Sequence, residues 1–219
     1  MEAIERYITS NDLLTIIILL VLLLLAIAKN LFTNRFDDFI SLAASGKFLI
    51  IKSKEYKLLF GFNIIMLSIH ILSISLFIFL AFRIFTTQTL ENSGNLLLRI
   101  ITAYSFIVLL KITVEKIIAN VFDIDEIIDT YLFQKQTYLN FISLIIFGLS
   151  LFLVYSEIPS SPLFYLIIAL IIIGLAYSLY AIIKKNLRTI SRFWFYFILY
   201  LCALEIAPYV VLYKLITKY

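Results

Sequence analysis

The sequence predicts an all-α polytopic membrane bundle, with six transmembrane helices and two amphipathic helices lying at the membrane interface. Three observations predict it. Apolar residues make up 63% of the chain and charged ones only 15%, whereas soluble domains run at roughly one half and one quarter. So few charges cannot coat a water-facing core, so lipid must be part of the solvent. Six runs approach the ~20 mostly apolar residues that a membrane helix needs. Lys and Arg sort to alternate connections between those runs, as they do in polytopic proteins. Six spans and short links use up all 219 residues, so 1–219 reads as one integral membrane domain.

The first span covers about 13–28, LLTIIILLVLLLLAIA, after N-cap candidates Asn11 and Asp12. Its closing AIA resembles a signal cleavage site. The preceding MEAIERYITSND is acidic rather than basic, so an uncleaved anchor is expected. The second span, about 59–82, carries Asn63, Ser68, His70, Ser73 and Ser75. The third, about 96–117, has Arg99 near one end and Lys111 near the other. The fourth is about 139–155. The fifth, about 163–183, follows SEIPSSP, whose prolines mark a turn. Within it Gly174 and Ser178 form a small-xxx-small pair that predicts close helix contact. The sixth is about 193–213.

Two further stretches have helical periodicity without spanning length. In RFDDFISLAASGK, Phe36, Phe39, Ile40, Ala43 and Ala44 share a face opposite Asp37 and Asp38. In NVFDIDEIIDTYLFQKQ, Ile124, Ile127, Ile128, Tyr131 and Leu132 do the same, and Asp123 with Glu126 reads as a capping box. Both are expected to lie on the membrane surface or against the bundle.

Orientation follows from the basic residues. Lys29, Arg35, Lys47, Lys52, Lys54 and Lys57 fall between spans one and two; Lys111, Lys116 and Lys135 surround the third connection; Lys184, Lys185, Arg188 and Arg192 fall between spans five and six. Arg6, Arg83, Arg99, Lys214 and Lys218 lie on the opposite side. The richer side is expected to face the cytoplasm, which puts both termini in the periplasm of a bacterial inner membrane. The net charge of +4 is therefore read as membrane sidedness, with no nucleic-acid partner expected.

The last span holds the main chemical oddity, Glu205 followed by Pro208. Eleven Leu, Ile, Phe and Val residues contribute about −3 to −7 kcal/mol to insertion. A central acid costs about +2.5 to +3.5 kcal/mol on the same scale. Insertion stays favourable, and the carboxyl must face protein or water. Pro208 frees the carbonyl of Leu204, and Cys202, Glu205, Pro208 and Tyr209 share a face at helical spacing. Measured along the helices at ~1.5 Å per residue, His70 lies at nearly the depth of Glu205 and is its expected partner. Lys111 lies nearer the rim, level with Asn63, and Glu115 four residues on is its expected ion-pair partner. The candidate functional residues are thus Glu205, His70, Pro208, Tyr209, Asn63 and Lys111. A structural role in helix packing, a proton- or ion-handling role and a partner-binding or catalytic role all stay open for them.

Much other chemistry finds no footing. One Cys and one His give no disulfide framework and no support for zinc, haem or iron–sulfur, so no metal and no cofactor is expected. DIDEIID lacks the Gly and Arg of a phosphate site, and its acids fall on the polar face of an amphipathic helix. Gly-rich phosphate loops, nucleophile elbows and paired-His motifs do not occur, so no catalytic residue is named.

FYFILYLCALEIAPYVVLYKLI near the C-terminus, NVFDIDEIIDTYLFQKQTYLN and NIIMLSIHILSISLFIFL resemble stretches of a Bacteroidota family of short multi-pass inner-membrane proteins with a domain of unknown function. The resemblance covers most of the chain beyond the first span, and LEIAPY is its most specific part. It implies a location and a topology, and no activity. The leading functional expectation is a non-enzymatic subunit or scaffold of a membrane complex, in contact with lipid and with other membrane proteins or further copies of itself. A proton- or ion-coupled transport component using Glu205 and His70 is one alternative. An enzyme acting on lipid-linked substrates is another.

Overall fold

Within lipid a chain must satisfy its own backbone hydrogen bonds, and helices do so segment by segment. The computed structural model describes residues 12–41, 61–85, 93–121, 125–155 and 160–192. These form α1 (Asp12–Leu31), α2 (Thr33–Ile40), α3 (Gly61–Phe85), α4 (Ser93–Val121), α5 (Asp125–Tyr155) and α6 (Ser160–Arg192). Among the described residues five stretches are long and apolar enough to cross a membrane: 13–31, 61–85, 94–121, 128–155 and 162–182. The sixth expected span, with Glu205, Pro208 and Tyr209, lies outside the described residues.

α3 is the hub. It is buried on nearly every side and packs against α1, α4, α5 and α6, which is why its apolar residues show no single stripe. α5 is the second central helix, touching α2, α3, α4 and α6. Ser73 and Ser75 on α3, and Ser143 and Ser150 on α5, are fully buried. Small residues of this kind let two membrane helices approach closely. α1 contributes Leu14, Ile18, Val21 and Ala28 to the main core, packs Leu24 and Leu25 against it, and turns leucines such as Leu19 and Leu23 outward. Thr15 Oγ1 reaches Tyr155 Oη at 3.2 Å, tying the start of α1 to the end of α5.

α2 tucks under this core. Phe39 is buried and lies edge-on to Phe62 at 6.2 Å and to Phe141 at 6.0 Å between ring centroids. Phe36 packs beside it, while Ile40, expected on the same face, is exposed. Ala43 and Ala44 lie outside the described residues.

The second expected amphipathic helix needs correcting. Residues 125–132 do not form a separate surface element; they open the 31-residue helix α5 and continue unbroken into the fourth span. No Gly or Pro interrupts 125–147. The polar run that resembled a surface link turns inward instead, with Gln134, Thr137 and Asn140 buried. Thr137 Oγ1 donates to the Phe133 carbonyl at 2.7 Å, and Gln136 Nε2 donates to Asn140 Oδ1 at 2.8 Å. α4 and α6 likewise outrun their expected spans.

Two satellite clusters flank the space that matters. Ala119, Ile128, Tyr131, Leu132 and Ile182 join α4, α5 and α6 at one end. Phe77, Ile146, Phe164 and Ile167 join α3, α5 and α6 further along, with the Phe77 and Phe164 rings stacked at 5.0 Å.

Candidate functional site

Between these clusters α3, α4, α5 and α6 leave a cavity of about 380 Å³. Its walls are mostly Ile, Leu and Val. Into them α3 contributes His70, α4 contributes Tyr104, Lys111 and Glu115, and α5 contributes Lys135 and Gln136. The helical repeat makes this grouping: Tyr104, Lys111 and Glu115 are seven and four apart, so one face of α4 carries all three.

The strongest feature is an ion pair. Lys135 Nζ donates to Glu115 Oε1 at 3.1 Å, with the Glu115 side chain 1% exposed and that of Lys135 15%. Lys135 also lies over the Tyr131 ring, 5.7 Å from its centroid. The other feature is His70, almost fully buried, whose Nε2 is 3.0 Å from Tyr104 Oη, either atom supplying the proton. Its Nδ1 meets no acceptor at hydrogen-bond geometry, although the ring lies near the Leu139 backbone of α5. Two hydroxyls close by on α3, those of Ser73 and Ser75, are also buried without a partner. An unmet buried polar group costs ~1–3 kcal/mol, so the tight α3–α5 packing offsets a real penalty here.

The chain matches, over residues 14–216, the family described as a domain of unknown function, DUF4271. The chain belongs to this family. The DUF4271 match takes in every cavity residue named above and also Glu205, Pro208 and Tyr209. No curated protein and no solved structure matches the chain.

Of the residues expected from the sequence of this DUF4271 chain, the structure brings His70 and Lys111 to one cavity. Asn63 stands half-buried near the start of α3, outside the cavity lining. Glu205, Pro208 and Tyr209 lie outside the described residues, and with them the expected Glu205–His70 contact. Glu115, expected beside Lys111 at the rim, pairs with Lys135 across the α4–α5 interface. Spacing in the sequence does not mark Tyr104 or Lys135 as site residues: Tyr104 lies eleven residues into α4 among apolar neighbours, and Lys135 bears only on sidedness. Periodicity gave a usable signal for Glu115 alone, four residues after Lys111. Among the described residues no three His, Cys, Asp or Glu side chains group closely enough to hold a metal ion. Gly174 meets its expectation: a Cβ there would lie 3.4 Å from Ile142 Cγ1, and the neighbouring Ser178 hydroxyl returns to the Leu175 carbonyl at 2.8 Å.

Proposed function

We propose that the chain is a non-enzymatic component of a bacterial inner membrane that works with partner membrane proteins, and that the cavity between α3, α4, α5 and α6 is its working part. The observation that carries this reading is the buried Glu115–Lys135 pair. Desolvating two charges costs several kcal/mol, and apolar side chains of similar size do as well or better for stability. Ionisable groups inside a membrane bundle are by default functional. Sequence motifs for catalysis are lacking, which favours a subunit over an enzyme on lipid-linked substrates.

Sidedness has its own support. Ala119, Ile128 and Ile182 pack together, so the last turns of α4, the start of α5 and the later part of α6 share one end of the bundle. Lys116 and Lys184 thereby gather at that end, in keeping with a cytoplasmic face there and periplasmic termini. The test is purification of the full chain in mild detergent followed by native mass spectrometry. Stoichiometric membrane partners, or a defined homo-oligomer, are expected. A lone, stable monomer overturns the reading.

The His70–Tyr104 bond favours a second reading, a proton- or ion-coupled component in which Glu205 from the last apolar stretch works with His70. Proton flux in liposomes should then fall in both Glu205→Gln and His70→Gln. Equal flux in wild type and both variants removes it.

A further inference from the structure

We propose that the cavity is a binding slot for a single-chain amphiphile with an acidic head, an acyl chain ending in a carboxylate or a phosphate monoester. This deepens the preceding reading, which makes the cavity the working part, by naming what occupies it. The shape comes first. From Glu115 to Tyr104 is eleven residues of α4, and from Lys135, which pairs with Glu115, to Ile146 is likewise eleven residues of α5. At ~1.5 Å per residue the slot is about 17 Å long. A volume of about 380 Å³ spread over that length leaves room for one chain's width. It sits near the small end of the ~300–1,000 Å³ of ordinary ligand sites, too little for both chains of a diacyl lipid.

The lining is graded along its length. At the end near the start of α5 stand Lys111, Lys135 and Glu115, two ammonium groups and one carboxylate, with Gln136 beside them. At the other end the walls are aliphatic, including Ile74 and Ile146. An acid head is matched at the first end, where it shares the ammonium groups with Glu115. A charged head at the second end would meet no counter-charge among the described lining residues. A tail along the aliphatic end replaces empty space with dispersion contacts. Midway, the His70 ring and the Tyr104 hydroxyl, 3.0 Å apart, place a polar point in the otherwise aliphatic wall. Exposure of Ile107 on α4 and Leu175 on α6, which both line the slot, leaves a side route from the bilayer.

The experiment uses the full chain in nanodiscs made with zwitterionic lipid, and a sixteen-carbon fatty acid bearing a photoreactive diazirine near the chain end. Saturable labelling is expected, in peptides from α3 and α5 around Ile74 and Ile146. Palmitate and one-chain lysophosphatidic acid serve as competitors; whichever competes better identifies the head group as carboxylate or phosphate. Hexadecanol, the same chain without charge, should compete at least tenfold more weakly, and inorganic phosphate or butyrate should not compete. Lys111→Gln should weaken the acids at least tenfold and leave hexadecanol unchanged. Ile142→Trp, which fills the slot, should abolish labelling while circular dichroism and thermal unfolding report an intact fold. If Ile142→Trp unfolds, the Lys111→Gln comparison of acid with alcohol decides alone. Unsaturable labelling, labelling spread over lipid-facing peptides, or equal competition by hexadecanol overturns the proposal. Because the purified chain is used, the result is independent of whether partner proteins are ever recovered.

Discussion

Glu115 and Lys116 are neighbours on α4, yet they face different worlds. Glu115 is sealed against α5 with Lys135 at 3.1 Å. Lys116 meets Asp129 at 3.5 Å with both side chains open, 39% and 49% exposed. A 100° turn of one helix separates a desolvated pair from a solvated one. Two glycines repeat the contrast: a Cβ on Gly174 would be in van der Waals contact with Ile142 at 3.4 Å, whereas one on Gly148 would meet nothing within 4 Å. The lesson is that position on the inner or outer face, and not residue type, decides what each group contributes.

The contrast can be broken most sharply at the buried pair. Glu115→Ala removes the buried carboxylate that faces the Lys135 ammonium and should lower stability by about 3–5 kcal/mol, read as a large fall in the thermal midpoint in nanodiscs. The double variant Glu115→Leu with Lys135→Met removes both charges and should recover most or all of that loss. If single and double variants fall equally, the pair is not the desolvated contact described. Next in size, Gly174→Leu forces a branched side chain against Ile142 and should cost about 1–3 kcal/mol by overpacking, measured in the same way.

On the outer face the signs and sizes change. Gly148→Ala fills open space in a helix interior and should stabilise by about 0.5–1 kcal/mol; a loss would mean that α5 is covered there. Smallest of all, Lys116→Ala should shift stability by no more than ~1 kcal/mol, and added salt should shrink that shift further. A large effect at Lys116 would erase the distinction between the two pairs.

Some of this was legible residue by residue. The run from Leu13 to Ala28 announced α1, and the Pro-rich SEIPSSP marked the break before α6. Gly174 and Ser178 gave away the α5–α6 contact. The long α5 is not legible, because Gln134 to Asn140 is polar in composition and only its neighbours reveal that Gln134, Thr137 and Asn140 are buried, with Thr137 bonded to the Phe133 carbonyl and Gln136 to Asn140. The same holds for the cavity: His70 and Lys111 drew notice as isolated polar residues in apolar runs, but nothing in their spacing named Tyr104 or Lys135 as companions.

The sequence by itself determined that this chain is helical, apolar and divided into spans, because helix length and side-chain hydropathy are local properties that a bilayer reads one segment at a time. Only the tertiary structure decided that α3 is the hub, that Glu115 turns to Lys135, and that a slot opens between α3, α4, α5 and α6. Which helices become neighbours depends on how small residues and bulky ones interlock across interfaces, a relation between segments that no single segment contains.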